Sequence, residues 1–212
     1  MTKIVEELDA LEAGDDVGGY AVSFADATLC PECGHVDDES EDLRNAPCQT
    51  CGRNCDARQI LFGGEEEEIL AMIFECYRSK HSRPACVLLF CSLMELHLRM
   101  LVLRRWRWLE IEWPDLGTTL KEKWKFKQRA ELFESLTGVS LFKHPRAEKL
   151  FSRHSALVGK RDKLAHGLTG AAWLMTDQEI RSAVELAAES FSVFAQLHHK
   201  YCSIDSPPLP KT

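Results

Sequence analysis

The stretch RDKLAHG, Arg161 to Gly167, puts an arginine, an aspartate and a histidine into the last turn and a half of an expected helix. Those residue types can act on a phosphodiester. RNA carries its own nucleophile, the 2'-hydroxyl, so cleavage takes a base of near-neutral pKa, an acid for the departing 5'-oxygen and positive charge for the phosphorane oxygens. His166 can exchange the proton and Arg161 can hold the charge. One histidine does not easily serve as base and acid at once, so a two-fold dimer bringing two Arg161/His166 pairs into one cleft would supply the missing group. Asp162 stands four residues before His166, on the same helix face, where it can orient the imidazole or raise its pKa. A plainer reading competes. Basic residues near a helix C-terminus complement the macrodipole, and a following glycine ends the helix.

A second constellation precedes it. Two C-x2-C turns, CPEC (Cys30, Cys33) and CQTC (Cys48, Cys51), are separated by 14 residues, and each is followed by glycine. Two thiolates on one tight turn sit side by side, and two such turns close a tetrahedral zinc site. Redox chemistry is the rival, but redox C-x2-C motifs occur singly beside a βαβ pattern, and none is present. A closed four-thiolate site leaves no position for water, so zinc is expected as scaffold and no catalytic metal is expected. Cys55 and His35 are nearby substitute ligands; Cys76, Cys86, Cys91 and Cys202 read as small buried residues.

Both constellations need elements to hold them. Residues 1–19 read as an acidic amphipathic segment, 20–63 as a zinc ribbon with short strands in YAVSFADATL and ARQILF, 64–202 as a helical bundle, and 203–212 as a flexible tail. The fold class expected is mainly α. Glu65 to Glu68 open the first bundle helix, where negative charge suits an N-terminus. Ser82 and Pro84 start a long apolar helix running to about Trp108. A third helix is expected from about Thr119 to Leu136 and a fourth from about Arg146 to His166. A fifth runs from the capping pattern Thr176–Glu179 to about Tyr201. The run Ala85–Leu103 approaches membrane-span length, yet Glu95 and Arg99 interrupt it, and each charge costs roughly 2.5–3.5 kcal/mol at a bilayer centre. It is expected as a buried bundle helix in a cytoplasmic protein without membrane partners.

The net charge of −7 conceals a division: residues 1–68 carry −14 and the remainder +7. A basic body suggests a polyanion partner. Two clusters mix cations with aromatics: RRWRW, with Arg104, Arg105 and Arg107, and KEKWKFKQR, with Lys123, Lys125 and Lys127. Such residues can track phosphates and stack on bases; they can equally be a solvated face. On the long helix, Ser92, Glu95 and Arg99 form a polar stripe, which must face a cleft, be paired, or lie exposed.

An arginine, a polar residue, three more residues and a histidine followed by glycine, late in an all-helical domain, resembles the HEPN family (higher eukaryotes and prokaryotes nucleotide-binding domain). Arg161, Asp162, His166 and Gly167 carry the likeness, which spans about residues 65–202; the ribbon is separately similar to zinc ribbons in general. The resemblance implies a metal-independent endoribonuclease, often a bacterial toxin or phage-defence effector, acting as a homodimer on RNA. It also implies a polar residue on the second helix aimed at the motif, a place Glu95 fits. The family commonly has asparagine where this chain has Asp162, and many members lack nuclease activity. Two further readings stand beside it: a non-catalytic RNA- or protein-binding module, and a toxin controlled by a separate nucleotidyltransferase antitoxin.

Overall fold

Helix α1 (Gly64–Arg78) begins with Glu65, Glu66 and Glu67 at its positive end and buries Leu70, Ile73, Phe74 and Tyr77 along one face. Arg83 finishes it. The Nε of Arg83 donates to the Tyr77 carbonyl (2.9 Å), and its guanidinium lies 4.7 Å from the Tyr77 ring centroid. The Ser82–Pro84 turn then launches α2 (Ala85–Trp108), whose first amide bonds back to the Ser82 carbonyl. Helix α2 is long and apolar enough to cross a membrane by length and composition, and 56% of that window is buried inside the protein.

The remaining helices are α3 (Phe126–Thr137), α4 (Glu148–Ala165) and α5 (Asp177–Tyr201). Two-residue strands β1 (Thr28–Leu29) and β2 (Arg58–Gln59) pair antiparallel, Thr28 opposite Gln59 and Leu29 opposite Arg58. The computed structural model describes residues 8, 28–30, 47–53, 58–59, 64–109, 118–119, 122–123, 125–166 and 175–202. The protein is mainly helical there, as expected. Most of the acidic N-terminal segment, much of the ribbon and the whole tail lie outside the described residues, as do Cys33, His35, Cys55 and Gly167.

Helix α3 starts later than its lysine-rich sequence predicts. The Lys123 amide still reaches the Thr119 carbonyl (2.8 Å), but Lys125 is extended (ψ 143°) and serves as the N-cap of a new helix. Its backbone amide is taken by the side chain of Gln128. At the other end Gly138 adopts φ 73°, a left-handed turn that suits glycine, and its N–H returns to the Glu134 carbonyl at 2.7 Å. Helices α4 and α5 match their expected spans to within two residues at each end.

The chain forms two compact units that divide within α2, α4 and α5. The first takes Met1–Phe24, Phe62–Met94 and Ser152–Phe191; the second takes Ala25–Leu61, Glu95–Phe151 and Ser192–Thr212. In the first, Cys86 donates to the Ile73 carbonyl (3.3 Å), tying α2 to α1, and Phe90 meets His154 edge-on. In the second, Phe151 gathers Phe126, Phe142 and Phe194 at centroid distances of 5.2–6.0 Å, and Phe133 meets Tyr201 at 5.4 Å. Each well-buried phenyl ring of this kind contributes roughly 1.5–3 kcal/mol by leaving water.

Arg105 lies wholly inside the second unit. Its Nε and one terminal nitrogen donate to the Leu136 carbonyl (3.2 and 3.1 Å), and the other terminal nitrogen donates to the Tyr201 carbonyl (3.0 Å). One guanidinium thus caps the ends of α3 and α5. The expected RNA contact is corrected here: a side chain with no exposed surface and its donors committed to backbone carbonyls does not reach a phosphate. Trp106 is buried as well, so it offers no stacking face to a base.

Candidate functional site

Helix α4 buries Leu150, Phe151, His154 and Leu157, leaves Ser152, Arg153, Ser155 and Ala156 outside, and so delivers its last turns to the surface in a fixed phase. Arg161 is half-buried there, and its Nε lies 2.8 Å from Asp162 Oδ1. His166 is exposed and follows the helix end, its backbone amide donating to the Asp162 carbonyl at 3.1 Å. The structure therefore brings Arg161, Asp162 and His166 onto one helix terminus. The carboxylate of Asp162 meets Arg161 rather than the imidazole.

This terminus is anchored within the first unit. Lys160 Nζ bonds both carboxylate oxygens of Glu179 on α5, at 2.5 and 2.6 Å. Glu179 also accepts the Thr176 amide (3.0 Å) while the Thr176 hydroxyl takes the Glu179 amide (3.2 Å), the reciprocal capping arrangement foreseen at the α5 start. The hydrogen bond from Lys160, and then that from Thr176, hold the Glu179 carboxyl below its ordinary range.

Beneath the motif lies a histidine whose sequence context suggests only a structural or exposed residue, and it is structural. His154, two turns before Arg161, is fully buried against Phe90, and burial, with the Arg161 charge added, pushes its imidazole down to about 3. It is neutral at physiological pH. His97 in the second unit is likewise buried, stacked on Phe194 at 4.8 Å and pushed down to about 3 by burial and then by Arg104. His198 is lowered too, by burial first, then by Arg104 and His97. A histidine framed by Leu96 and Leu98 in an apolar helix was the available signal for His97.

Glu95 sits half-buried on α2 in the second unit, whereas Arg161 and His166 belong to the first. Its charge acts on Arg129 of α3, opposing the effect of burial on that guanidinium, while Arg99 adds to it. Ser92 of the same stripe is exposed and bonds the Leu88 carbonyl of its own helix. Among the expected RNA contacts, Arg107, Lys125 and Lys127 are exposed, and Arg104 and Lys123 are half-buried.

The cysteine turns converge as their spacing predicts for three of the four thiols. Strand β1 ends at Leu29 and hands Cys30 inward; Cys30 and Cys48 are buried and Cys51 is exposed. The turn is closed by the Gly52 amide on the Cys48 carbonyl (2.6 Å) and the Cys48 amide on the Arg53 carbonyl (3.0 Å), with Gly52 at φ 69°. All three sulfurs lie within 4.8 Å of one another, and those of Cys30 and Cys51 are 3.9 Å apart. That is far beyond a disulfide bond of about 2.05 Å. It is close to the edge of about 3.8 Å of a tetrahedron with zinc–sulfur bonds of about 2.3 Å. These residues can hold a metal ion. Cys86 and Cys91 are buried as expected, and burial pushes the Cys86 thiol up to about 12, leaving it inert.

No protein-family model, curated protein or solved structure matches this chain.

Proposed function

We propose that this protein is a HEPN-type, metal-independent endoribonuclease, a toxin or phage-defence effector working as a homodimer, with a structural zinc ribbon. The observation carrying it is the α4 terminus, where a braced Arg161 and an exposed His166 stand together. In this reading the His166 imidazole takes the proton of the RNA 2'-hydroxyl, the 2'-oxygen attacks phosphorus, and the bond to the 5'-oxygen breaks. His166 of a second copy protonates that oxygen. Arg161 balances the charge of the pentavalent phosphorane. Cys33 joins Cys30, Cys48 and Cys51 around zinc, whose binding energy folds a segment too small to fold on its own core.

The test compares wild-type protein with His166→Ala on a panel of RNAs in magnesium-free buffer. Cleavage leaving 2',3'-cyclic phosphate ends, absent from the variant, is the expected result; equal silence from both proteins rejects the enzyme. A second reading, a non-catalytic RNA- or protein-binding module, draws on the Asp162 carboxylate meeting Arg161 and not His166. It is favoured if dimerisation and RNA binding survive without any His166-dependent cleavage.

A further inference from the structure

Helices are stabilised by acids in the first turn and destabilised by cations there. Helix α1 obeys with three glutamates, and α5 with Asp177 and Glu179. Helix α3 does not: Lys125 is its N-cap, Lys127 follows in its first turn, and no acid stands there. At α4, Lys143 and Arg146 lie in the preceding turns and Lys149 comes directly after Glu148. All five cations are exposed.

Packing brings these two helix starts together. Phe126, the first residue of α3, and Phe142, in the turns before α4, both rest on Phe151 of α4 at 5.2 and 5.5 Å. The cations on either side of those rings therefore share one end of the second unit. The surrounding charge agrees: the described helical and loop residues of Glu95–Phe151 and Ser192–Cys202 hold twelve Lys and Arg against five Glu. In the first unit, the described residues hold eight Lys and Arg against ten Asp and Glu. This end of the unit keeps an excess of exposed cations even with Lys127 lying 4.0 Å from Glu131.

The geometry points to a phosphate-tracking surface for single-stranded RNA at the convergence of α3 and α4, made by Lys125, Lys127, Lys143, Arg146 and Lys149. It rests on the nuclease reading for the choice of RNA and replaces the RRWRW cluster, two of whose residues are buried. The five cations would follow successive backbone phosphates, and affinity would be salt-dependent and indifferent to base sequence.

The test uses full-length protein carrying His166→Ala, so that the probe survives, and a fluorescein-labelled 20-nucleotide single-stranded RNA of mixed sequence. Anisotropy titrations at several salt concentrations compare it with a version also carrying Lys125→Ala, Lys127→Ala, Lys143→Ala, Arg146→Ala and Lys149→Ala. A control carries Arg78→Ala and Lys80→Ala instead. The surface variant is expected to lose at least 30-fold in affinity at low salt. Its salt slope should fall by about 0.7 for each phosphate contact removed, with the control unchanged and the urea midpoint of the surface variant equal or higher. Equal affinity and slope in the surface variant overturns the proposal. So does loss of affinity for an oligoglutamate peptide without loss for RNA, which makes the occupant an acidic protein segment. Absence of His166-dependent cleavage alongside the expected binding loss would sink the nuclease and leave this surface standing.

Discussion

The two compact units differ in how their polar and charged groups are held. The first is held by ordinary means: acids at helix starts, a capping box, the Lys160–Glu179 clamp and a continuous apolar interior. It carries Arg161 and His166 on one helix end. The second contains a buried arginine, two imidazoles kept neutral in its core, cationic helix starts and the thiol cluster. The first unit also buries one neutral imidazole, His154, beside those ordinary means.

The largest expected effect separates the units by metal. Chelation, or Cys48→Ser, should remove one zinc ion per chain and expose the Cys30–Cys51 region to protease, a loss on the order of 10 kcal/mol in small zinc modules. Helical circular dichroism should persist, because the three thiols belong to the second unit and the described helices of the first are held by their own apolar interior. If the whole protein unfolds together, the division fails.

Next is chemistry. His166→Ala should lower cleavage by about 10²–10⁴-fold, the usual worth of a positioned acid–base group, with RNA affinity unchanged. A parallel fall in affinity would mean that the reactive pair and the binding surface are not separable.

Arg105→Met should destabilise by about 3 kcal/mol in urea denaturation, since two buried helix ends lose their donors. Arg105→Lys should recover little, because an ammonium cannot span both carbonyl positions as a planar fork does.

Acid should act through the buried imidazoles. A histidine held near pKa 3 in the fold, against its ordinary 6.5, binds its proton only in the unfolded chain between those values. Stability is therefore fully present above pH 6.5 and falls as pH drops toward 3. At pH 5 the loss is about 2 kcal/mol for each such residue. Urea midpoints at pH 7 and pH 5 should converge partly in His97→Phe and in His154→Phe, one replacement in each unit; an unchanged pH dependence would show that other groups govern it.

The smallest change is at the clamp. Glu179→Ala should cost about 1 kcal/mol by losing both the ion pair and the capping box, whereas Glu179→Gln, which keeps the cap, should cost a few tenths. If cleavage falls more in Glu179→Gln than stability does, the clamp positions Arg161 as well as securing α5.

Much of the architecture was legible because its signals are local. Glu65–Glu68, Ser82-Pro84 and Thr176–Glu179 marked helix starts by the chemistry of capping, and the C-x2-C turns announced their own convergence. The α4 terminus was legible for the same reason: Arg161, Asp162 and His166 are neighbours in sequence. What could not be read depends on tertiary packing. Arg105 in a run of cations looks like solvated surface until Leu136 and Tyr201 are brought to it. The lysine-rich stretch before α3 has helical propensity, and only the extended backbone at Lys125 shows where the helix restarts. Lys143, Arg146 and Lys149 gained meaning once Phe126 and Phe142 met on Phe151.

The Arg105 contact has a genetic consequence. Each helix C-terminus bears roughly half a negative charge, so the ends of α3 and α5 together neutralise one guanidinium with the main chain as its counterion. Suppressors of an Arg105 loss should therefore include new hydrogen-bond donors that reach the Leu136 and Tyr201 carbonyls.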